Sequence, residues 1–327
     1  MTTKKVLFAV SIFAFAMVIT ITGCKKRKAF NNEDGQASAD TRTAQGENDA
    51  AVSDINQTVS EQPLLHGRTS SPQSINAVLG NICGLSVDTN GAYMGTIQLN
   101  YNGTTCNNRT RTGSIKLTIV DYAQGKRWKN PGCVLKVEYL SYKVTRASDG
   151  KSVRLDGTQN ITNVSGGTWF ELLFLHQANL SHSVTGDNLS VTFDESKTAS
   201  YNIYRKFTYT WDATANNNAG VLTCVGEGVG TSNGLSNLEN YGTTRDGDAF
   251  TSQVQAPVVW NTTCGAWAPI QGEVVIKVAS KEFSLDCLFG VDASGNSVTV
   301  GSNQCPYGWK VEWKWKNKTK HKVIGYY

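Results

Sequence analysis

The stretch YNIYRKFTYTW, residues 201 to 211, decides how this chain folds. Tyr201, Ile203, Phe207, Tyr209 and Trp211 take every second position, with Arg205 on the same side. Asn202, Lys206, Thr208 and Thr210 take the positions between. On extended backbone, alternate side chains point to opposite faces, so the segment reads as a strand with one face in a core.

The same period recurs outward in both directions. SIKLTIVD puts Ile115, Leu117 and Ile119 on one side and Lys116 and Thr118 on the other; NLSVTFD gives Leu189, Val191 and Phe193; GEVVIKVAS gives Val274, Ile276 and Val278. CVLKVEYLSYKVTR changes parity near Tyr139 and Leu140, the mark of a β-bulge. Turn sequences punctuate these runs: SDGK at 148 to 151, SGG at 165 to 167, TGDN at 185 to 188 and DASGN at 292 to 296. From about residue 95 the expectation is an all-β body of a dozen or so short strands, most simply a β-sandwich or stacked antiparallel sheets. LNYNGTTC (99–106) and VTVGSNQC (298–305) share a pattern, which raises two related β halves, 75–215 and 216–327, parted near the Asn-rich ATANNNAG.

The amino terminus reads differently. Lys4 and Lys5 precede the apolar run VLFAVSIFAFAMVITIT, and ITGC follows at 21 to 24. A basic start, a short apolar core and small residues before a cut site describe a secretory signal over residues 1–23. The ending resembles a bacterial lipobox, which implies that Cys24 carries a diacylglyceryl thioether and anchors the protein to a membrane. The competing reading is an uncleaved helical anchor, for which the run is at the short limit. KKRK follows Cys24, then a polar segment rich in Ala, Asn, Asp, Gln, Ser and Thr. With few large apolar residues to offset its ordering entropy, the region 24–74 reads as a flexible tether. KKRK suits either anionic head groups or plain solvation.

Composition excludes several functions. The chain carries 31 Lys and Arg against 26 Asp and Glu. Removing the signal leaves 29 against 26, too even to imply a nucleic-acid partner. Of eight cysteines, seven remain after Cys24, in a pattern suited to an oxidising compartment. The pairings expected are Cys83 with Cys106 and one bridge among Cys264, Cys287 and Cys305. Neither a metal nor a cofactor is implied, since the chain has four His and no CxxC spacing. No HExxH, Walker or dinucleotide motif occurs, no catalytic residues are assigned and the chain is not read as an enzyme. His176 and His182 in HQANLSH read as an ordinary loop, and Asp194 and Glu195 as neighbours on opposite faces of a strand.

The candidate ligand surface is GWKVEWKWKNKTK, 308 to 320. Trp309, Trp313 and Trp315 alternate with Lys310 and Lys314. A core-facing stripe is the plainer reading; a glycan platform, with indoles under sugar rings and lysines meeting acidic groups, is the sharper one. The lysines also suit an edge strand that must repel further pairing.

GTTCNNRTRTGSIKLTI, DGTQNITNVSGG, RKFTYTWDA, VGEGVGTSN and TTRDGDAFTSQVQAPVVWNTTCGAWAPIQGEVVIKV occur in that order before a closing cysteine hairpin. Together they resemble a family of uncharacterised Bacteroidetes lipoproteins over most of residues 95 to 315. Two departures are KRWKNPGC, with Cys133 after its turn, and the wider spacing of Cys264 and Trp267. The resemblance implies a β-rich, lipid-anchored envelope protein and assigns no chemistry. The function expected is a binding or structural module contacting a glycan or another envelope protein, on an outer membrane and facing the periplasm. The alternative is a glycan hydrolase with carboxylates from separate strands.

Overall fold

The computed structural model describes residues 32–67, 75–265, 268–280, 284–299, 305–315 and 318–326. The signal sequence, Cys24 and KKRK lie outside them. The chain divides into two units, Met1–Asp34 and Gly35–Tyr327, and the second holds all the strands.

That unit is antiparallel β, as the alternation requires. Its strands are β1 (Leu85–Asp88), β2 (Thr96–Cys106), β3 (Arg109–Ile119), β4 (Cys133–Arg146), β5 (Ser152–Asn163), β6 (Leu180–Phe193), β7 (Lys197–Asp212) and β8 (Val221–Gly228). They continue with β9 (Gly230–Ser232), β10 (Leu235–Thr243), β11 (Ala249–Asn261), β12 (Gln271–Val278), β13 (Ser284–Val291), β14 (Gly308–Trp315) and β15 (Lys318–Gly325). All join one sheet in which sequential strands pair except β8 with β9; β7 also pairs β10, β8 pairs β7 and β11, and β9 pairs β10. Strands on both sides of residue 215 therefore share one hydrogen-bonded ladder.

The inner face is the apolar row of each strand: Ile115, Leu117 and Ile119 of β3, Leu135, Val137 and Tyr139 of β4, and Tyr201, Ile203 and Phe207 of β7 are buried. The parity change in β4 is a bulge, where pairing with β5 shifts register between Tyr139 and Tyr142. Ser141 lies there at φ 53°. Opposite it, Gly113 at φ 87° is the residue the site requires, because a Cβ would come within 2.1 Å of the Ser141 carbonyl oxygen.

The tether expected over residues 24–74 is corrected where the structure describes a helix in that region. Residues Asn32–Glu61 form one helix, α1. From Gln36 to Ser60 every residue is buried or half-buried. Six successive residues, Glu47 to Val52, are all buried. At about 100° per residue they cover the whole circumference, so the sheet curls around the helix. Its partners confirm the curl: Tyr101 on β2, Arg111 on β3, Tyr139 on β4, Gln159 on β5, Arg205 on β7, Asn240 on β10, Ser252 on β11 and Cys287 on β13 all meet α1 side chains.

Composition hides the helix because most of its side chains are satisfied by the sheet rather than by water. Small residues such as Ala50 and Ala51 let the walls approach and favour helix. Five of its charged side chains are paired: Asp40 with Arg245, Glu47 with Arg109, Asp49 with Arg205, Asp54 with Arg111, and Arg42 with Glu239. The helix ends where Pro63 disfavours helical backbone at Gln62, which is extended at φ −87°, ψ 108°. A short helix, α2 (Pro63–His66), follows with Pro63 in its first turn, then α3 (Asn76–Leu79). A further helix, α4 (Trp169–Phe174), starts with a capping box between Thr168 and Glu171.

Candidate functional site

The inward row of β7 continues through Phe207 and Tyr209 to Trp211. Register then sets the neighbours. Tyr209 lies opposite Cys224 on β8, and Cys224 opposite Trp260 on β11. Directly paired residues share a face of the sheet, so Tyr209, Cys224 and Trp260 form a row across three strands. From α4, Trp169 packs edge-on against Tyr209 with ring centroids 5.8 Å apart. From α1, Asp49, Ser53 and Gln57 recur at every fourth position and present one stripe. Gln57 also donates to Asn76 Oδ1 at 2.6 Å and to the Gly80 carbonyl at 2.7 Å, which pins α3 and Leu79 beside it.

These groups enclose a cavity of roughly 310 Å³ that is open to solvent. Its rim is the β7–β8 loop and the end of β11, where Asn261 and the following Thr262 stand. The Asn-rich ATANNNAG is that first loop. Asn216, Asn217 and Asn218 all have positive φ, which Asn tolerates better than most residues. Gly220 closes the loop against the Trp211 indole.

The largest side chains in the walls are aromatic and, apart from one group, the lining is uncharged. Asp49 is the one charged residue lining this cavity among the described residues. Burial pushes its carboxyl up, while Arg205 opposes that shift. Both of its oxygens accept from Arg205 Nη1, at 2.8 and 2.7 Å, and Oδ1 also accepts from Gln45 at 2.8 Å. Burial likewise pushes the Cys224 thiol well above its usual range, so it stays protonated and is a poor nucleophile. A mostly apolar concavity of this size with a few fixed polar groups is suited to holding a small molecule. A smaller adjoining cavity of about 40 Å³ shares Asp49 and Trp260 in its lining.

The C-terminal platform is corrected for the residues that can be placed. Trp309 and Trp313 are buried at 8% and 6% exposure, paired across to Phe289 and Leu285 of β13. They are core, and Trp309 lines the smaller cavity. Lys310 stands outside, 3.6 Å from Glu312. The side chains of Lys314 and Trp315 lie outside the described residues. Cys83 is bridged to Cys106 and Cys264 to Cys305, while Cys287 is a buried free thiol, as is Cys133.

Other singled-out residues take structural parts. Asp194 and Glu195, expected on opposite faces of a strand, instead form the turn between β6 and β7, where Asp194 accepts from the Ser152 backbone N–H and Glu195 pairs with Arg154 and Lys143. Asp292 closes its own turn by accepting from the Ser294 and Asn296 N–H groups. His176 is exposed at the end of α4, whereas His182 is buried on β6 between Trp128 and Tyr209. No grouping of His, Cys, Asp and Glu able to hold a metal occurs among the described residues.

The fold and the cavity define a helix-filled antiparallel β body with a solvent-open aromatic pocket. Comparison with protein-family models, curated proteins and solved structures finds no match.

Proposed function

We propose that this chain is a lipid-anchored protein of the bacterial envelope that works as a binding module, with the aromatic cavity as its ligand site. The observation that carries the reading is the convergence of Trp169, Tyr209, Trp211 and Trp260 with Ser53, Gln57 and Asn261 around one open concavity. Flat rings and dispersed amide and hydroxyl groups suit a glycan unit, which has apolar ring faces and a hydroxylated edge. Glycan hydrolysis is less well supported, because it needs two carboxyl groups flanking a bond and, among the described residues, Asp49 alone supplies one to the cavity.

The anchor is read from ITGC, with Cys24 as the acylated residue and an outer membrane, periplasm-facing setting. No helix among the described residues is long and apolar enough to cross a membrane. Cys24→Ala should release the protein from membranes and abolish fatty-acid labelling; retention of the variant would mean another anchor. For the site, soluble fragments of envelope glycan should shift the tryptophan emission in a saturable way. Ser53→Trp, which fills the cavity from the helix side, should abolish that shift while leaving the β-type circular dichroism unchanged. An undiminished shift in Ser53→Trp would place the ligand elsewhere.

A further inference from the structure

The cavity also specifies the charge and shape of what it holds, an inference that rests on the binding reading above. Among the described residues its walls contain no Lys or Arg side chain, and Asp49, their one acid, is already occupied by Arg205 and Gln45. A charged guest would give up its hydration and meet no counter-charge, which disfavours it strongly in a partly buried site. The surface offered instead combines aromatic rings with amide and hydroxyl groups.

Among the aromatic walls, Trp169, Phe207, Tyr209 and Trp260 are buried in the core, whereas Trp211 is half-exposed. One edge of the Trp211 indole is held against glycine: a Cβ on Gly220 would fall 2.0 Å from the ring, while the half-exposed indole lines the cavity. Gly220 is at φ 81°, where glycine is favoured in any case.

We propose that the cavity selects an uncharged, hydroxylated ring, a neutral sugar unit, and that Trp211, seated on Gly220, is the plane on which that ring stacks. This departs from a lysine-flanked tryptophan platform, which would favour acidic sugars. Trp211 is here a specificity-determining residue, and Gly220 a positioning one.

The test is calorimetric titration of the full-length protein in detergent with methyl glycosides of neutral hexoses and N-acetylhexosamines. Hexuronic acids, hexose phosphates and a long-chain fatty acid serve as the contrasting probes. Neutral glycosides should bind at least tenfold more tightly than the charged ones. Trp211→Ala should weaken them roughly tenfold, while Trp211→Phe keeps most of the affinity. Gly220→Ala, which displaces the ring without removing it, should also weaken binding. Equal or tighter binding of a uronic acid, a sugar phosphate or the fatty acid overturns the proposal, as does undiminished binding by Trp211→Ala. If Ser53→Trp still abolishes such binding, the cavity reading survives that failure. Silence of every probe, or binding that Ser53→Trp leaves intact, sinks the cavity reading itself.

Discussion

Arg205 on β7 donates through Nη1 to both carboxylate oxygens of Asp49 on the central helix, at 2.8 and 2.7 Å, with both side chains out of solvent. Glu239 lies 3.8 Å from the same guanidinium nitrogen and is itself held by Arg42. The guanidinium of Arg205 also packs over Phe207 and Trp260. The ion pair that fixes the helix and the aromatic wall of the cavity are thus one piece of structure.

Removing Arg205 should therefore be costly. Arg205→Ala leaves Asp49 buried without its partner and should lower stability by about 3–5 kcal/mol. Arg205→Met combined with Asp49→Leu removes both charges and should recover most of that loss. Urea denaturation of the two variants decides the matter; a double variant weaker than the single would mean that the pair contributes more than it costs.

The helix should be indispensable. Deleting residues 35–61 exposes the inner face of the sheet and strips Arg109, Arg111, Arg205 and Arg245 of their acids on α1. The shortened chain should lose cooperative thermal unfolding and aggregate. Survival of a sharp melt with unchanged β-type circular dichroism would show that the sheet is stable without its filling.

His182 should make the protein sensitive to acid. Burial lowers its pKa to about 3 from an ordinary 6.5, and neither ring nitrogen has a hydrogen-bond partner among the described residues. The unfolded chain takes up the proton first as pH falls, so stability is full above pH 6.5 and declines between there and about 3. The slope should approach about 1.4 kcal/mol per pH unit well below the unfolded pKa. His182→Phe should flatten that limb of the stability curve. An equally steep decline in the variant would assign the effect to other groups.

The β4 bulge should tolerate no side chain opposite it. Gly113→Ala would press a Cβ onto the Ser141 carbonyl, whereas the same change at Gly125, also at positive φ, meets nothing within 4 Å. Gly113→Ala should cost about 1–3 kcal/mol more than Gly125→Ala. Equal melting temperatures would place the strain in backbone conformation alone.

Much of the sheet could be read directly from residue order. Tyr201 to Trp211 and Ile115 to Ile119 face inward as their alternation requires, and the parity break at Tyr139 marks a real bulge. The helix could not be read that way, because it carries no broad apolar stripe. Its polar groups find partners such as Arg205, 156 residues away. The one local hint is Arg205 itself, a charge set in an otherwise apolar and aromatic inward row, where an unpaired cation would be too costly to bury. The cavity was half legible. Phe207, Tyr209 and Trp211 share a row by periodicity, but Trp169 and Trp260 join them only through strand register and the placement of α4. ATANNNAG, which reads as a seam between halves, is a loop at the cavity's mouth.

Placing the helix from Gln36 to Ser60 within the β body changes how far that body could travel from a mooring at Cys24. On the proposed acylation, the residues from 24 to 34 are all that lies between the anchor and the unit that begins at Gly35. Fully extended, they reach no more than roughly 40 Å. On the proposed acylation, ligands would have to come to a pocket held near the bilayer, since a molecule with so little slack cannot search the surrounding space for them.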